Sequence, residues 1–227
     1  MKERLARIRQ RIAETATACG RDPSTIRLVA VSKTVDAVRV DQAILAGADI
    51  LGENYIQEAR DKIGVLGHRA VEWHFIGHLQ SNKAKTAVRL FDLIHSLDSF
   101  KLAQALDKAA RKIGKVQSVL IQVNISGEET KSGIEEAAAI DLVKQIGQLE
   151  GLRIKGLMTM PPFFDAPELA RPFFRRLARL RERMIACHLS GVAMDELSMG
   201  MTGDFTVAIE EGATLVRIGT AIFGARS

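Results

Sequence analysis

The sequence predicts an α/β fold, a (β/α)8 TIM-type barrel preceded by one extra N-terminal helix. Three observations carry this. Eight short strand candidates alternate with helical stretches, one helix in each of the seven intervals, and such alternation builds a parallel sheet with helices outside. The eight units are near-evenly spaced over 227 residues, close to the roughly 250 residues usual for such barrels. No Gly-x-Gly-x-x-Gly follows the first strand, which counts against the rival doubly wound open sheet. Residues 1–227 are expected to form one domain, with 1–20 as its leading helix.

The leading helix covers Glu3–Cys19, with Leu5, Ile8, Ile12 and Ala16 near helical spacing. Asp22-Pro23-Ser24 breaks it, and the β-branched run Ile26–Lys33 is strand one. A helix over Asp36–Ala46 is closed by Gly47, and strand two is Asp49–Gly52. Asn54–Leu66 is helical up to Gly67, Val71–Gly77 is strand three, and Ser81–Leu90 is a helix capped by Ser81 or Asn82. Strand four, Asp92–Ser96, precedes a helix over Ser99–Ile113. Val116–Ile125 is the clearest strand, the fifth. Lys131-Ser132-Gly133 marks the start of the helix Gly133–Leu149. Strand six, Leu152–Met160, stops at Pro161-Pro162, and a long helix follows over Pro167–His188. Val192–Leu197, a helix over Thr202–Glu211 and the final strand Thr214–Gly219 complete the pattern. The usual last helix is then missing, and the leading helix is a candidate to cover that gap or a barrel end.

Composition narrows the function classes. With 47% hydrophobic and 26% charged residues the chain is of ordinary globular type. No apolar run approaches the roughly 20 residues of a membrane span, and the charged N-terminus lacks a signal-peptide core. Two cysteines, Cys19 and Cys187, read as reduced thiols of a cytoplasmic protein. The net charge of +5 raises the question of nucleic acid. The arginines between Arg171 and Arg183, however, interleave with Leu177, Leu180 and Met184 as a solvated helix face, and 5% aromatics offer no stacking platform for bases.

In a barrel, ligand-binding residues come from the C-terminal ends of the strands, and the loops after strands seven and eight frequently hold phosphate. Those loops contain Ser198, Gly200, Thr202, Gly219 and Thr220, which supply hydroxyls, close backbone approach and a helix start near Thr202 aimed at an anion. Ordinary βα turns are the bland alternative. Lys33 shares parity with Val29 and Val31, so it faces inward if they do. Burial there favours the neutral, nucleophilic amine, against the simpler reading of a snorkelling surface lysine. Closure sets strand one beside strand eight, so this lysine adjoins the phosphate loops. A phosphate-bearing aldehyde, above all pyridoxal 5′-phosphate (PLP), wants both features. Arg217 shares parity with Leu215 and Gly219. Opposite a pyridine nitrogen it would keep that nitrogen unprotonated; a structural ion pair is the alternative. A Schiff-base aldolase is another reading of the same lysine. His74 and His78 lack the supporting ligands of a metal site. His95 reads equally as structural or functional, and Asn54 as a ligand contact or a helix cap.

The sequence resembles the pyridoxal phosphate homeostasis protein family over nearly its whole length. The resemblance is carried by Leu28–Thr34 (LVAVSKT), Gly52–Glu58 (GENYIQE), Trp73–Lys83 (WHFIGHLQSNK), Ile94–Asp98 (IHSLD), Val123–Gly133 (VNISGEETKSG), Gly156–Met160 (GLMTM), Leu197–Asp204 (LSMGMTGD) and Val216–Gly224 (VRIGTAIFG). It implies a barrel like the N-terminal domain of alanine racemase, with PLP as cofactor in a Schiff base on Lys33. Arg217 then approaches the pyridine nitrogen, Ser198, Gly219 and Thr220 hold the phosphate, and Asn54 is a nearby contact. Val35-Asp36 and Thr202 depart from the family pattern without touching Lys33. The implied role is intracellular PLP homeostasis as a carrier or buffer, with PLP-requiring apoenzymes as recipients and a monomer or weak dimer as the working form. An amino-acid racemase is the enzymatic alternative. Two-base racemisation needs a second acid/base opposite Lys33, which barrel racemases take as a tyrosine from a further β-domain. Tyr55 is the only tyrosine here, no residues are left over for such a domain, and no catalytic residue is therefore expected.

Overall fold

A computed structural model describes residues 1–67, 69–128, 132–189 and 191–224. Eight parallel strands close into a barrel: β1 (Arg27–Val31), β2 (Ile50–Glu53), β3 (Glu72–Phe75), β4 (Leu93–Leu97), β5 (Gln117–Asn124), β6 (Leu152–Met158), β7 (Val192–Ser198) and β8 (Leu215–Ile218). Each pairs with its neighbours in chain order, and β8 closes the barrel on β1 with Val29 opposite Arg217. Helices α1 (Lys2–Ala18), α2 (Ala37–Leu45), α3 (Ile56–Leu66), α4 (Ala84–Leu90), α5 (Phe100–Arg111), α6 (Glu136–Ile146), α7 (Arg171–Ala186), α8 (Phe205–Glu210) and α9 (Thr220–Phe223) lie outside.

The alternation of residues along the strands builds two apolar layers. Inward-facing Val29, Ile50, Leu93, Leu120, Met158 and Leu215 plug the barrel. Outward-facing residues such as Ala30, Leu51, Ile94 and Ile121 join the larger core beneath the helices. Burying a side chain of this size is worth about 1.5–3 kcal/mol. Helices α2 and α5 start where a polar side chain accepts from a first-turn N–H group. Asp36 Oδ1 accepts from Arg39 N at 2.9 Å, and Ser99 Oγ from Leu102 N at 3.4 Å. Asp36 is thus the cap of α2. The arginines of α7 are tied to neighbouring helices, Arg175 to Glu211 and Arg176 to Glu136.

The leading helix buries Leu5, Ile8, Ile12 and Ala16 against α8 and α9. Arg11 stacks 5.0 Å from the Phe205 ring centroid, and Arg4 donates to the Ile222 carbonyl at 3.4 Å. It therefore covers the gap expected after strand eight, beside a closing helix of a single turn that the strand pattern did not predict.

Several boundaries differ from the sequence expectation. Ser81–Lys83 and Pro167–Ala170 are 3-10 turns that lead into α4 and α7. The helix expected from Gly133 begins at Glu136, after a two-residue strand, Ile134–Glu135, laid against the end of β5. Gly133 has φ +126°, and a Cβ there would lie 2.7 Å from the Asn124 nitrogen; it serves a close strand crossing. Lys131, expected at the helix start, lies outside the described residues. The helix expected from Thr202 begins only at Phe205, because Asp204 Oδ1 accepts from Met201 N at 2.6 Å and holds 201–204 as a turn. No helix among the described residues is long and apolar enough to cross a membrane.

Candidate functional site

The C-terminal end of the barrel holds a cavity of about 270 Å³. Strand parity brings its polar residues together. Lys33 leaves β1, Asn54 leaves β2, Thr202, Gly203 and Asp204 follow β7, and Arg217, Gly219 and Thr220 come from β8 and its exit. The opposite wall is apolar, formed by Met160, Pro162, Phe163 and Phe164 after β6. Five of the six residues singled out from the sequence, Lys33, Asn54, Arg217, Gly219 and Thr220, thus line one space. Ser198 does not line it. It is fully buried under the floor, where its hydroxyl meets Arg217 and His95.

Lys33 is half-buried and sits between two residues with fixed roles. Thr34 has φ +61°, a left-handed conformation that costs a β-branched residue on the order of 1–2 kcal/mol. Its N–H donates to Glu58 Oε2 at 2.9 Å. Ser32 Oγ donates to Glu53 Oε1 at 2.6 Å. Lys62, buried on α3, ties both halves together: its ammonium donates to the Ser32 carbonyl at 2.7 Å, to Glu53 at 2.8 Å and to Glu58 at 3.4 Å. Burial raises the Glu53 carboxyl above its ordinary value, opposed by the bonds from Lys62 and Ser32. The Lys33 turn is therefore clamped from behind by an ion cluster on β2 and α3.

Arg217 forms the floor. Its Nη1 donates to Ser198 Oγ at 2.6 Å and its Nη2 to the Thr159 carbonyl at 2.9 Å. Burial pushes its guanidinium down to about 10, and the charge of Asp204 acts against that shift, so it is cationic at neutral pH. Asp204 is itself raised, by burial first, against its bond from Met201 N and the charge of Arg217. Thr202 and Thr220 bring their hydroxyls within 3.3 Å of each other across the two loops. Asn54 Oδ1 is buried with no hydrogen-bond partner among the described residues. Asn54 is placed by Gly77, where a Cβ would lie 2.2 Å from the Asn54 carbonyl. Gly200, expected to admit a ligand, instead makes room for α8: with φ +89°, a Cβ there would lie 2.6 Å from that of Ala208. An amine, a pair of hydroxyls and a buried cation suit an anionic, carbonyl-bearing ligand, and the orphaned Asn54 oxygen suits a donor group on it.

Tyr55 is exposed at the start of α3, and exposed His78 lies on a separate shallow groove. Among the described residues no group of three or more His, Cys, Asp or Glu is placed to hold a metal ion. Sequence reading missed the Glu53–Lys62–Glu58 clamp, since helix-to-strand contacts leave no periodic trace. It also missed the link between His74 and His95. Their shared inward parity was a usable signal, because the same rule placed Lys33 and Arg217.

The alanine racemase N-terminal domain family model matches residues 4–227. The pyridoxal phosphate homeostasis protein of Aquifex aeolicus is 44% identical over 99% of this chain and 97% of its own length. The structure of PipY from Synechococcus elongatus with PLP bound superposes with a TM-score of 0.80 at 36% identity, covering 94% of this chain and all of that one. An alanine racemase of Clostridium difficile shares the fold, with a TM-score of 0.69 at 16% identity, and this chain covers 56% of it.

Proposed function

The chain belongs to the pyridoxal phosphate homeostasis protein family, and from that premise we propose that it binds PLP as a Schiff base on Lys33 and serves as a carrier or buffer of that cofactor. The observation that carries this reading is the meeting of Lys33, Arg217 and the Thr202 and Thr220 hydroxyls around one cavity of about 270 Å³.

The residues present fit the group. The buried, unpartnered Oδ1 of Asn54 calls for a donor from a ligand. The Thr202 and Thr220 hydroxyls, with the backbone at Gly203 and Gly219, hold the phosphate. Ser198 acts from beneath, through Arg217. When bound, PLP supplies an electrophilic aldehyde and a conjugated ring. Lys33 would supply the amine that holds the aldehyde, and the clamp behind Thr34 keeps that side chain at the cavity. The Arg217 guanidinium, a donor without an acceptor site, would leave a ring nitrogen held against it unprotonated and the ring a poor electron sink. Met160 and Phe163 cover part of the opposite face, yet Phe163 is 84% exposed. Water and amines therefore reach the cavity, which suits release and handover and suits catalysis poorly.

The carrier reading is favoured over a racemase by the same geometry. Neither Tyr55 nor His78 lines the cavity, and the carboxylate that does, Asp204, is engaged by Met201 N at 2.6 Å. The protein works in the cytoplasm as a monomer or weak dimer, and PLP-requiring apoenzymes take the cofactor from it. Racemisation assays across a panel of amino acids at saturating PLP test the function. Negligible turnover is expected, alongside transfer of PLP from loaded protein to an apoenzyme; robust turnover that disappears in Lys33→Ala would make the protein an enzyme.

A further inference from the structure

A file of polar side chains runs through the apolar plug of the barrel. It starts at Arg217 near the cavity and ends at Glu72, the first residue of β3, at the opposite end of the barrel. Arg217 Nη1 lies 2.6 Å from Ser198 Oγ. Ser198 Oγ lies 2.8 Å from His95 Nδ1, His95 Nε2 lies 3.0 Å from His74 Nδ1, and His74 Nε2 lies 3.1 Å from Glu72 Oε2. Ser198, His95 and His74 are fully buried, whereas the Glu72 side chain is half exposed and also meets Arg27. Four hydrogen bonds thus join the cavity floor to solvent at the far end.

The ends dictate the direction. A guanidinium only donates, and a carboxylate only accepts. Burial, with the charges of Arg217 and Arg27 and the neighbouring His74, holds His95 well below the usual imidazole range, so it is neutral. Its one N–H serves one neighbour only. His74 donates to Glu72 through Nε2. His74 Nδ1 then accepts from His95 Nε2–H, and His95 Nδ1 accepts from the Ser198 hydroxyl. Every proton then points from Arg217 toward Glu72. The reverse orientation would leave the Ser198 hydroxyl receiving two donors, with its own proton lacking an acceptor among the described hydrogen bonds.

We infer that Ser198, His95 and His74 form a one-directional hydrogen-bond relay, anchored on Glu72, that makes them positioning residues for the cavity-facing guanidinium of Arg217. A buried cation needs compensation; the charge of Asp204 acts on Arg217, yet the groups that hydrogen-bond it are a hydroxyl and a carbonyl. The relay adds to that compensation indirectly. Each bond polarises the next, by about 10–30% per bond, so Ser198 Oγ becomes a stronger acceptor and the remote carboxylate's charge is felt at the guanidinium. No proton has to cross the barrel. The consequence for a cofactor rests on the preceding reading that Arg217 faces PLP.

Long-range ¹⁵N–¹H spectroscopy of the ring nitrogens in the cofactor-free protein tests the relay itself. Both histidines should carry their proton on Nε2 only. A proton on Nδ1 of either ring would overturn the relay. PLP titrations then test the positioning role. Ser198→Ala and His95→Leu should each weaken binding at least tenfold and shift the absorption band of the loaded protein. His95→Gln, which can still accept on one side and donate on the other, should stay within threefold of wild type. Unchanged affinity and spectrum in Ser198→Ala, which removes a single oxygen and leaves the apolar plug intact, would refute positioning even if His95→Leu fails to fold. If the wild type takes up no PLP, the proposed function fails, while the ring-nitrogen spectra still decide the relay.

Discussion

Replacing Lys62 by Met should weaken the fold and loosen the Lys33 turn together. The Lys62 side chain is 8% exposed and that of Glu53 is fully buried, with 2.8 Å between the charged atoms. Removing one partner of a buried pair costs about 3–5 kcal/mol, because the other charge is left uncompensated. The Ser32 hydroxyl still serves Glu53 at 2.6 Å, which favours the low end, about 3 kcal/mol. For a chain of this size that is a fall of about 6–12 °C in Tm, at about 2–4 °C per kcal/mol. The pH dependence follows from the direction at Glu53, already raised by burial and raised further without Lys62. A carboxyl raised in the folded state contributes stability below its unfolded value and loses it as pH climbs toward the folded one. The deficit of Lys62→Met should therefore shrink as pH falls through the carboxylate range. Urea unfolding at pH 7.5 and pH 5 measures both effects. A variant within about 0.5 kcal/mol of wild type at pH 7.5, inside ordinary surface-mutation scatter, would refute the clamp.

Three further outcomes are expected. Gly200→Ala forces a left-handed residue whose Cβ sits 2.6 Å from that of Ala208; thermal denaturation should show a loss of about 1–3 kcal/mol. Asn54→Ala should weaken PLP binding by about 1–1.5 kcal/mol, roughly tenfold, as for one lost hydrogen bond, seen in a spectrophotometric titration. Arg217→Leu should loosen or reorient PLP without abolishing the Schiff base, and an unchanged spectrum and affinity would count against its role.

The barrel was legible because its signals are periodic. Inward parity at Val29 and Leu215 is the packing actually found, and the same rule sets Lys33 and Arg217 at the cavity. Glycines marked several helix ends, as Gly67 does for α3, whereas the cap expected at Ser81 or Asn82 is not formed, because both lie inside a 3-10 turn. What escaped has no period. The late start of α8 depends on one carboxylate, Asp204, folding back on Met201 N. The placement of Ser198 beneath the floor depends on Arg217 reaching it first, at 2.6 Å. The clamp of Lys62, Glu53 and Glu58 joins a helix to the turns at two strand ends, and charged residues on a helix read from sequence as solvated.

The central claim is the bond between this chain and its cofactor. Borohydride reduction of PLP-loaded protein followed by peptide mapping tests it most directly. The account predicts one reduced pyridoxyl group, on Lys33, and its absence from Lys33→Ala. The same adduct on another lysine of the wild type, or an undiminished adduct in Lys33→Ala, would contradict it.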